Sequence, residues 1–195
     1  MAYRVAFRDN RGFNLGPIGF LIIINIILFI TTSIKYELLF QLGLVPAFFL
    51  QRPWTIITSM FVHAGFGHIF ANMLTLYFFG SYLIQLIGER YFWIVYFFGG
   101  ILGSILYILL APPLSVAVGA SGAVFALGGA LTVLRPRLRV FIFPIPIPIP
   151  LWVSVIGGFF IMSFLPFVAW QAHLGGLVFG LAAAYFFKHR RRYFF

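Results

Sequence analysis

Four polar side chains that could carry out acyl transfer lie in otherwise apolar stretches of the sequence: Ser121, His173, His68 and Asn72. A serine hydroxyl becomes a nucleophile when a base removes its proton, and a neutral histidine can be that base. Histidine and asparagine N–H groups can stabilise the negative charge that develops on a carbonyl oxygen. Together the four residues supply a nucleophile, a base and two oxyanion donors.

Carboxylates are missing from this set. The only acids are Asp9, Glu37 and Glu89, and all of them fall in terminal or loop segments rather than in apolar runs. This placement excludes a Ser-His-Asp triad, paired catalytic carboxylates and an aspartyl intramembrane protease. The absence of cysteine excludes a thiolate nucleophile and disulfides.

Each candidate residue also has an ordinary structural interpretation. Ser121 stands among small residues that favour close helix packing, and His173 could be a buried histidine on a glycine-rich face. His68 and Asn72, at i and i+4, could simply bond a neighbouring helix. A zinc site formed by His63 with two of these histidines is disfavoured, because there is no His-Glu-x-x-His motif and no carboxylate base. We expect no metal and no cofactor.

The elements that must position these residues are membrane helices. Of the 195 residues, 63% are hydrophobic and only 8% are charged, whereas soluble domains carry about 25% charged residues. The apolar runs predict six spans at 15–34, 68–87, 91–111, 120–134, 151–165 and 168–187. We therefore predict an all-α membrane protein, a six-helix bundle with a short fourth helix, formed by residues 1–195 as one domain.

The net charge of +10 follows from topology and not from nucleic-acid binding. Lys35 and Arg52 lie on one side of the predicted spans. The other eleven basic residues lie on the opposite side: Arg4, Arg8, Arg11, Arg90, Arg135, Arg137, Arg139, Lys188, Arg190, Arg191 and Arg192. The positive-inside rule then places the N-terminal segment 1–14 and the basic tail 188–195 in the cytoplasm, with the cell membrane as the expected location.

The four candidate residues fall at similar depths. At about 1.5 Å per residue, Ser121 and His173 lie roughly 21–22 Å above the cytoplasmic end of their helices. Asn72 lies roughly 25 Å up, with His68 one turn higher, in a hydrocarbon core about 30 Å thick. Three helices thus place rare polar groups in the outer third of the bilayer, which favours a shared site. Asn25 and Gln85 have no aligned partner, and we expect them to be structural.

Two connecting segments are unusual. The first loop, about 35–66, is long and partly apolar, which predicts a segment lying on or dipping into the outer leaflet. The run from Pro144 to Pro150 alternates proline with isoleucine, and a residue before proline is held extended. We expect a stiff cytoplasmic connector at this point.

The order and spacing of several short motifs resemble the rhomboid intramembrane serine proteases over about residues 52–182. The motifs are Arg52-Pro53-Trp54, Phe61-Val62-His63, His68-x-x-x-Asn72, Gly119-Ala120-Ser121-Gly122 and Ala172-His173-x-x-Gly176 with Gly180. The resemblance implies a six-helix bundle with a water-filled cavity open to the outer face. It also implies that the substrates are single-pass membrane proteins and that the reaction takes place within the lipid bilayer, and it does not imply an oligomer.

Carried over by position, the resemblance assigns Ser121 as nucleophile, His173 as base, and His68 with Asn72 as oxyanion side chains. The same resemblance gives His63 a structural role. Residues that support the site would be Gly119, Gly122, Phe125, Gly176 and Gly180. A rhomboid-like protein that binds membrane helices without cutting them, and a small channel or transporter, remain alternatives.

Three positions depart from the family pattern. Thr55 stands where many members have arginine, and Ile84 stands where a glutamate is often found in the second helix. Phe125 occupies a position where some bacterial members have tyrosine, so it can stack on a histidine but offers no hydroxyl. None of these departures changes Ser121 or His173.

Overall fold

The structure, a computed structural model, describes residues 16–141 and 146–191. The N-terminal segment 1–14, for which a cytoplasmic position is predicted, lies outside the described residues, as do part of the proline-isoleucine run and the end of the basic tail.

The described chain is almost entirely helical. The helices are α1 (Gly16–Ile34), α2 (Glu37–Leu42), α3 (Thr55–Thr58), α4 (Phe66–Ile87), α5 (Glu89–Leu110), α6 (Ser121–Leu134), α7 (Leu151–Ser163) and α8 (Trp170–Arg191). Two 3-10 turns, Pro46–Phe48 and Ser59–Phe61, lie in the first loop. The two short strands are β1 (Arg139–Val140) and β2 (Ile149–Pro150). The predicted all-α fold is confirmed, and each of the six predicted spans corresponds to one helix.

Helix length and composition divide these six helices into two groups. Among the described residues, α1, α4 and α5 are long and apolar enough to cross a bilayer, by length and composition alone. The short fourth helix of the prediction is α6, with 14 residues, and α7 has 13. α8 is long, with 22 residues, but ends in basic residues.

Helix α6 lies at the centre of the bundle. Most of its residues are buried, and it packs most extensively against α8, then against α5, α4 and α7. The approach of α8 depends on glycine. A methyl group at Gly176 would meet the Gly122 carbonyl oxygen, and one at Gly180 would meet the Ala126 carbonyl oxygen. The two helix backbones are therefore in direct contact, as small residues in membrane helices allow.

Helix α7 is held differently. It packs against α6 and, less extensively, against α8 and the strands. Its consecutive glycines, Gly157 and Gly158, have no atom of the described residues within 4 Å of the position that a Cβ would occupy. These two glycines therefore take part in no close helix contact among the described residues.

The first loop folds onto the segment that precedes α6. Leu44 and Ala117 exchange two backbone hydrogen bonds of 2.9 Å each. Large apolar side chains on the other side of the loop are exposed, among them Phe48, Leu50 and Trp54. This arrangement agrees with the predicted apolar segment, although the two short helices within the loop were not part of that prediction.

The predicted extended connector pairs with the chain that leaves α6. β1 and β2 are antiparallel, with Arg139 opposite Pro150 and Val140 opposite Ile149. Leu138 and Val140 pack against the core. The described end of the connector is thus paired in a two-stranded sheet, with Arg139–Val140 as its partner strand.

Asn25 has a polar neighbour that the sequence does not reveal. The side chains of Asn25 and Tyr96, both fully buried, face each other across α1 and α5. The Asn25 amide also donates a hydrogen bond of 2.7 Å to the Leu21 carbonyl in its own helix. The Asn25 Oδ1 and Tyr96 hydroxyl atoms have no hydrogen-bond partner among the described residues, and α1 packs on the bundle mainly through α4.

Candidate active site

Ser121 and His173 lie within hydrogen-bond distance of each other. The His173 Nε2 to Ser121 Oγ distance is 2.8 Å. Ser121 is the first residue of α6, and His173 lies in the first turn of α8 with only 3% of its surface exposed. When Nε2 carries no proton, the serine hydroxyl donates to it, which is the geometry in which a histidine can remove the serine proton.

Close packing of α6 on α8 produces this distance. Gly122 directly follows Ser121, and Gly176 lies one turn beyond His173 on the helix that meets it. Because the Gly176 Cα packs onto the Gly122 carbonyl, no side chain separates the two helices at this level. The predicted supporting glycines Gly122, Gly176 and Gly180 therefore lie in one helix interface.

The His173 ring is oriented by aromatic packing. Phe125 stacks on it with ring centroids 4.6 Å apart and an interplanar angle of 29°. Phe159 of α7 packs edge-on against Phe125, with centroids 6.2 Å apart. The His173 Nδ1 atom is buried and has no hydrogen-bond partner among the described residues. The ring is therefore held by stacking and by Ser121, and not by a third polar residue.

His68 lies against the backbone that leads into Ser121. Gly119 has φ +124°, a backbone conformation that residues other than glycine rarely adopt. A Cβ at Gly119 would also lie 2.7 Å from His68 Nε2 and Cε1. Glycine at this position therefore satisfies two requirements, the backbone turn and the close approach of the imidazole.

Asn72 is buried one turn below His68, and its amide nitrogen donates a hydrogen bond of 2.9 Å to the His68 carbonyl oxygen. That bond lies within α4, and no described hydrogen bond joins Asn72 to Ser121. A carboxamide nitrogen carries two hydrogens, so one donor remains. The structure thus brings Ser121, His173 and His68 around the start of α6, with Asn72 just behind His68.

The first loop supplies two contacts that the sequence does not indicate. The Ser59 carbonyl accepts a hydrogen bond of 2.8 Å from the Gly119 N–H, and His63 Nε2 accepts one of 3.3 Å from the Ala120 N–H. His63 is 1% exposed. Burial lowers the pKa of His63 to about 3, with a further lowering by His68 and a smaller opposing effect of the Phe61 backbone. The motif Phe61-Val62-His63 gives His63 a structural role by resemblance, but only the structure identifies Ala120 as its hydrogen-bond partner.

The departures at Thr55 and Ile84 are accommodated locally. The Thr55 hydroxyl donates a hydrogen bond of 2.7 Å to the Arg52 carbonyl. Arg52 and Trp54 tie the loop to α2 by donating to the carbonyls of Phe40 and Gln41, at 3.0 and 3.2 Å. Ile84 packs against the core. Backbone carbonyls thus accept the hydrogen bonds that hold the loop.

The helical fold, with its long apolar helices, and the comparison with protein families define an integral membrane protein of the rhomboid class. The family model of the Rhomboid domain matches residues 50–190, and the chain belongs to this family. The predicted resemblance is confirmed.

Three relatives show the range of the family. The chain is 34% identical to RHOMBOID-like protein 1 of Arabidopsis thaliana over 72% of its own length and 36% of that protein. It is 31% identical to the "Putative rhomboid protease YdcA" of Bacillus subtilis (strain 168), over 72% of the chain and 71% of that protein. It is 29% identical to Inactive RHOMBOID-like protein 8 of Arabidopsis thaliana, over 64% of the chain and 35% of that protein.

The chain thus spans about a third of the length of the two Arabidopsis relatives. Because the relatives include proteins named as protease and as inactive, family membership defines the fold and leaves the activity to the site.

Proposed function

We propose that this protein is an intramembrane serine endopeptidase that uses Ser121 and His173 as a catalytic dyad. The observation that carries the proposal is the 2.8 Å distance between His173 Nε2 and Ser121 Oγ at the partly buried start of α6. A neutral imidazole at hydrogen-bond distance from a serine hydroxyl is sufficient for general-base catalysis.

In the first step, Ser121 Oγ attacks the carbonyl carbon of the substrate peptide bond while His173 Nε2 takes the hydroxyl proton. The carbonyl oxygen becomes an oxyanion. The Ser121 backbone N–H is the first of α6, where helix N–H groups lack intrahelical partners, and it donates to this oxygen together with His68 and Asn72. The partial positive charge at a helix N-terminus acts in the same direction.

In the second step, the tetrahedral intermediate collapses and the C–N bond breaks. His173 returns its proton to the leaving amine, and the acyl group stays on Ser121. A water molecule then attacks the ester carbonyl while His173 takes its proton. The bond from the acyl carbon to Ser121 Oγ breaks, His173 returns the proton to Oγ, and the second product leaves as a carboxylic acid. The proposed reaction steps use no carboxylate side chain and no cofactor.

The substrates in this proposal are proteins with a membrane span, cut within or near that span. A helical peptide bond is shielded by its own backbone hydrogen bonds, so the substrate must unwind locally before attack. Residues 1–195 act as one domain, in the cell membrane, with both termini cytoplasmic. The partners are these substrates and the bilayer, with no nucleic acid.

Labelling by a fluorophosphonate, together with incubation with a panel of transmembrane substrates, tests the proposal. The purified chain should label and should cleave at least one substrate, and Ser121→Ala should do neither. A folded wild-type chain that is neither labelled nor able to cleave contradicts the proposal.

A second candidate is a rhomboid-like protein that binds membrane helices without cutting them. It is favoured by the relative whose name describes it as inactive. The two candidates differ in one measurement, because a non-cutting binder would retain substrate helices in a pull-down while Ser121 stays unlabelled.

A further inference from the structure

His63 is a buried histidine with no part in the reaction proposed above. It lies between the 3-10 turn Ser59–Phe61 and α4, outside the membrane-spanning helices, and is 1% exposed. Burial of a polar ring is unfavourable unless its nitrogen atoms are partnered, and in His63 only Nε2 is, since Nδ1 is buried without a hydrogen-bond partner among the described residues. The contacts of His63 therefore indicate what the residue is for.

The first contact is with the backbone that leads to the nucleophile. Two successive N–H groups, of Gly119 and Ala120, donate to Ser59 O at 2.8 Å and to His63 Nε2 at 3.3 Å. Ser121 follows directly. Since two consecutive peptide units are anchored by the first loop, the direction of the next N–H, that of Ser121, varies only through the φ and ψ angles of Ala120.

The second contact is with His68. The two imidazole rings pack edge to face, with centroids 5.0 Å apart and an interplanar angle of 67°. His68 in turn lies against Gly119. His63 thus touches both the backbone before Ser121 and the side chain assigned as an oxyanion donor.

The protonation state suits this role. Nε2 can accept from the Ala120 N–H only while it carries no proton, and burial holds the pKa of His63 at about 3. The acceptor is therefore present throughout the neutral range, and the proton of the neutral ring resides on Nδ1.

We propose that His63 is a positioning residue for the proteolytic reaction: its Nε2 atom and its ring hold the Ala120–Ser121 backbone and His68 so that their N–H groups converge on the oxyanion. This inference rests on the proposed function. It predicts that the hydrogen-bond acceptor at position 63 affects catalysis and not substrate binding.

Two substitutions separate the acceptor from the ring. His63→Phe keeps a ring beside His68 and removes the acceptor, whereas the side-chain oxygen in His63→Gln reaches about as far as Nε2 and keeps it. Cleavage rates are divided by the number of sites that a fluorophosphonate labels, so that unfolded protein, which is not labelled, does not lower the measured kcat. We expect His63→Phe to lower kcat about 10- to 100-fold with little change in KM, and His63→Gln to stay within about fivefold of wild type.

His189 provides a matched control, because it is an exposed histidine at the cytoplasmic end of α8 and His189→Phe should leave kcat unchanged. If His63→Phe does not fold, His63→Met is used instead, because methionine fills the site without an equivalent hydrogen-bond acceptor. Wild-type kcat per labelled site in the acceptor-free variant would overturn the inference, as would an equal loss in folded His63→Gln. A wild-type chain that neither labels nor cleaves would instead refute the proposed function itself.

Discussion

Replacing Gly176 by alanine should separate the proposed nucleophile from its base without touching either. The added methyl group would fall well inside van der Waals contact with the Gly122 carbonyl oxygen, which is part of the rigid backbone of α6. Relief requires the two helices to move apart by about 1 Å. The distance from His173 Nε2 to Ser121 Oγ would then grow from 2.8 Å to about 3.8 Å, beyond hydrogen-bond range.

We expect Gly176→Ala to lower kcat on the order of 10²-fold, since misplacement by about 1 Å has that effect on catalytic groups. Overpacking should lower the free energy of unfolding by about 1–3 kcal/mol. The assay combines turnover of a transmembrane substrate, rate of fluorophosphonate labelling and melting temperature in the same detergent.

Gly122→Ala is the graded comparison. A Cβ at Gly122 would lie 3.2 Å from the Ala172 carbonyl oxygen, so a shift of a few tenths of an ångström accommodates it. Its loss of kcat should be clearly smaller, within about tenfold. A Gly176→Ala protein that folds and turns over at the wild-type rate would refute the reasoning, because the helix separation would then not control the dyad.

Three further predictions concern individual side chains. Ser121→Ala and His173→Ala should each abolish cleavage, and the double variant should be no worse, because the two residues act as a unit; additive losses in turnover would argue against a dyad. Asn72→Ala should lower kcat by on the order of 10–10³ with little change in KM and a loss of about 1–2 kcal/mol in stability; full turnover with a large drop in melting temperature would make Asn72 structural. Because the pKa of His63 falls to about 3 on folding, the unfolded chain binds an extra proton between about pH 3 and 6.5. Melting temperature should therefore fall as the pH drops below about 6.5, and it should fall less steeply in His63→Gln.

The six-helix architecture follows from sequence because long apolar runs have few alternatives to membrane helices. Their ends differ from the predicted ones mainly in α8, which continues to Arg191 instead of stopping at residue 187. Basic residues are compatible with a helix that continues beyond the membrane into water. Apolarity alone therefore predicts where the membrane-spanning part ends, but not where the helix itself ends.

The proximity of Ser121 and His173 was predictable from equal depths and from motif order, whereas the contacts around them were not. The bond from Ala120 to His63 joins residues 57 positions apart, and Asn25 and Tyr96, which lie close together, belong to helices that are far apart in sequence. The Asn72 amide bonds its own helix, which is a rotamer choice. Periodicity and spacing do not predict such contacts, because the contacts depend on how separate helices and loops pack against each other in the folded protein.

The two kinds of glycine in this bundle divide it into stiff and compliant parts. At the glycines of α6 and α8, the backbone of the facing helix fills the space that a side chain would occupy. Local unfolding of either helix would therefore break contacts along both. Gly157 and Gly158 of α7 have no such compensation, and each weakens the helix by roughly 0.5–1 kcal/mol relative to alanine. We therefore expect thermal motion to be larger in α7, while the Ser121–His173 distance is set by α6 and α8, the most extensively packed pair of helices among the described residues.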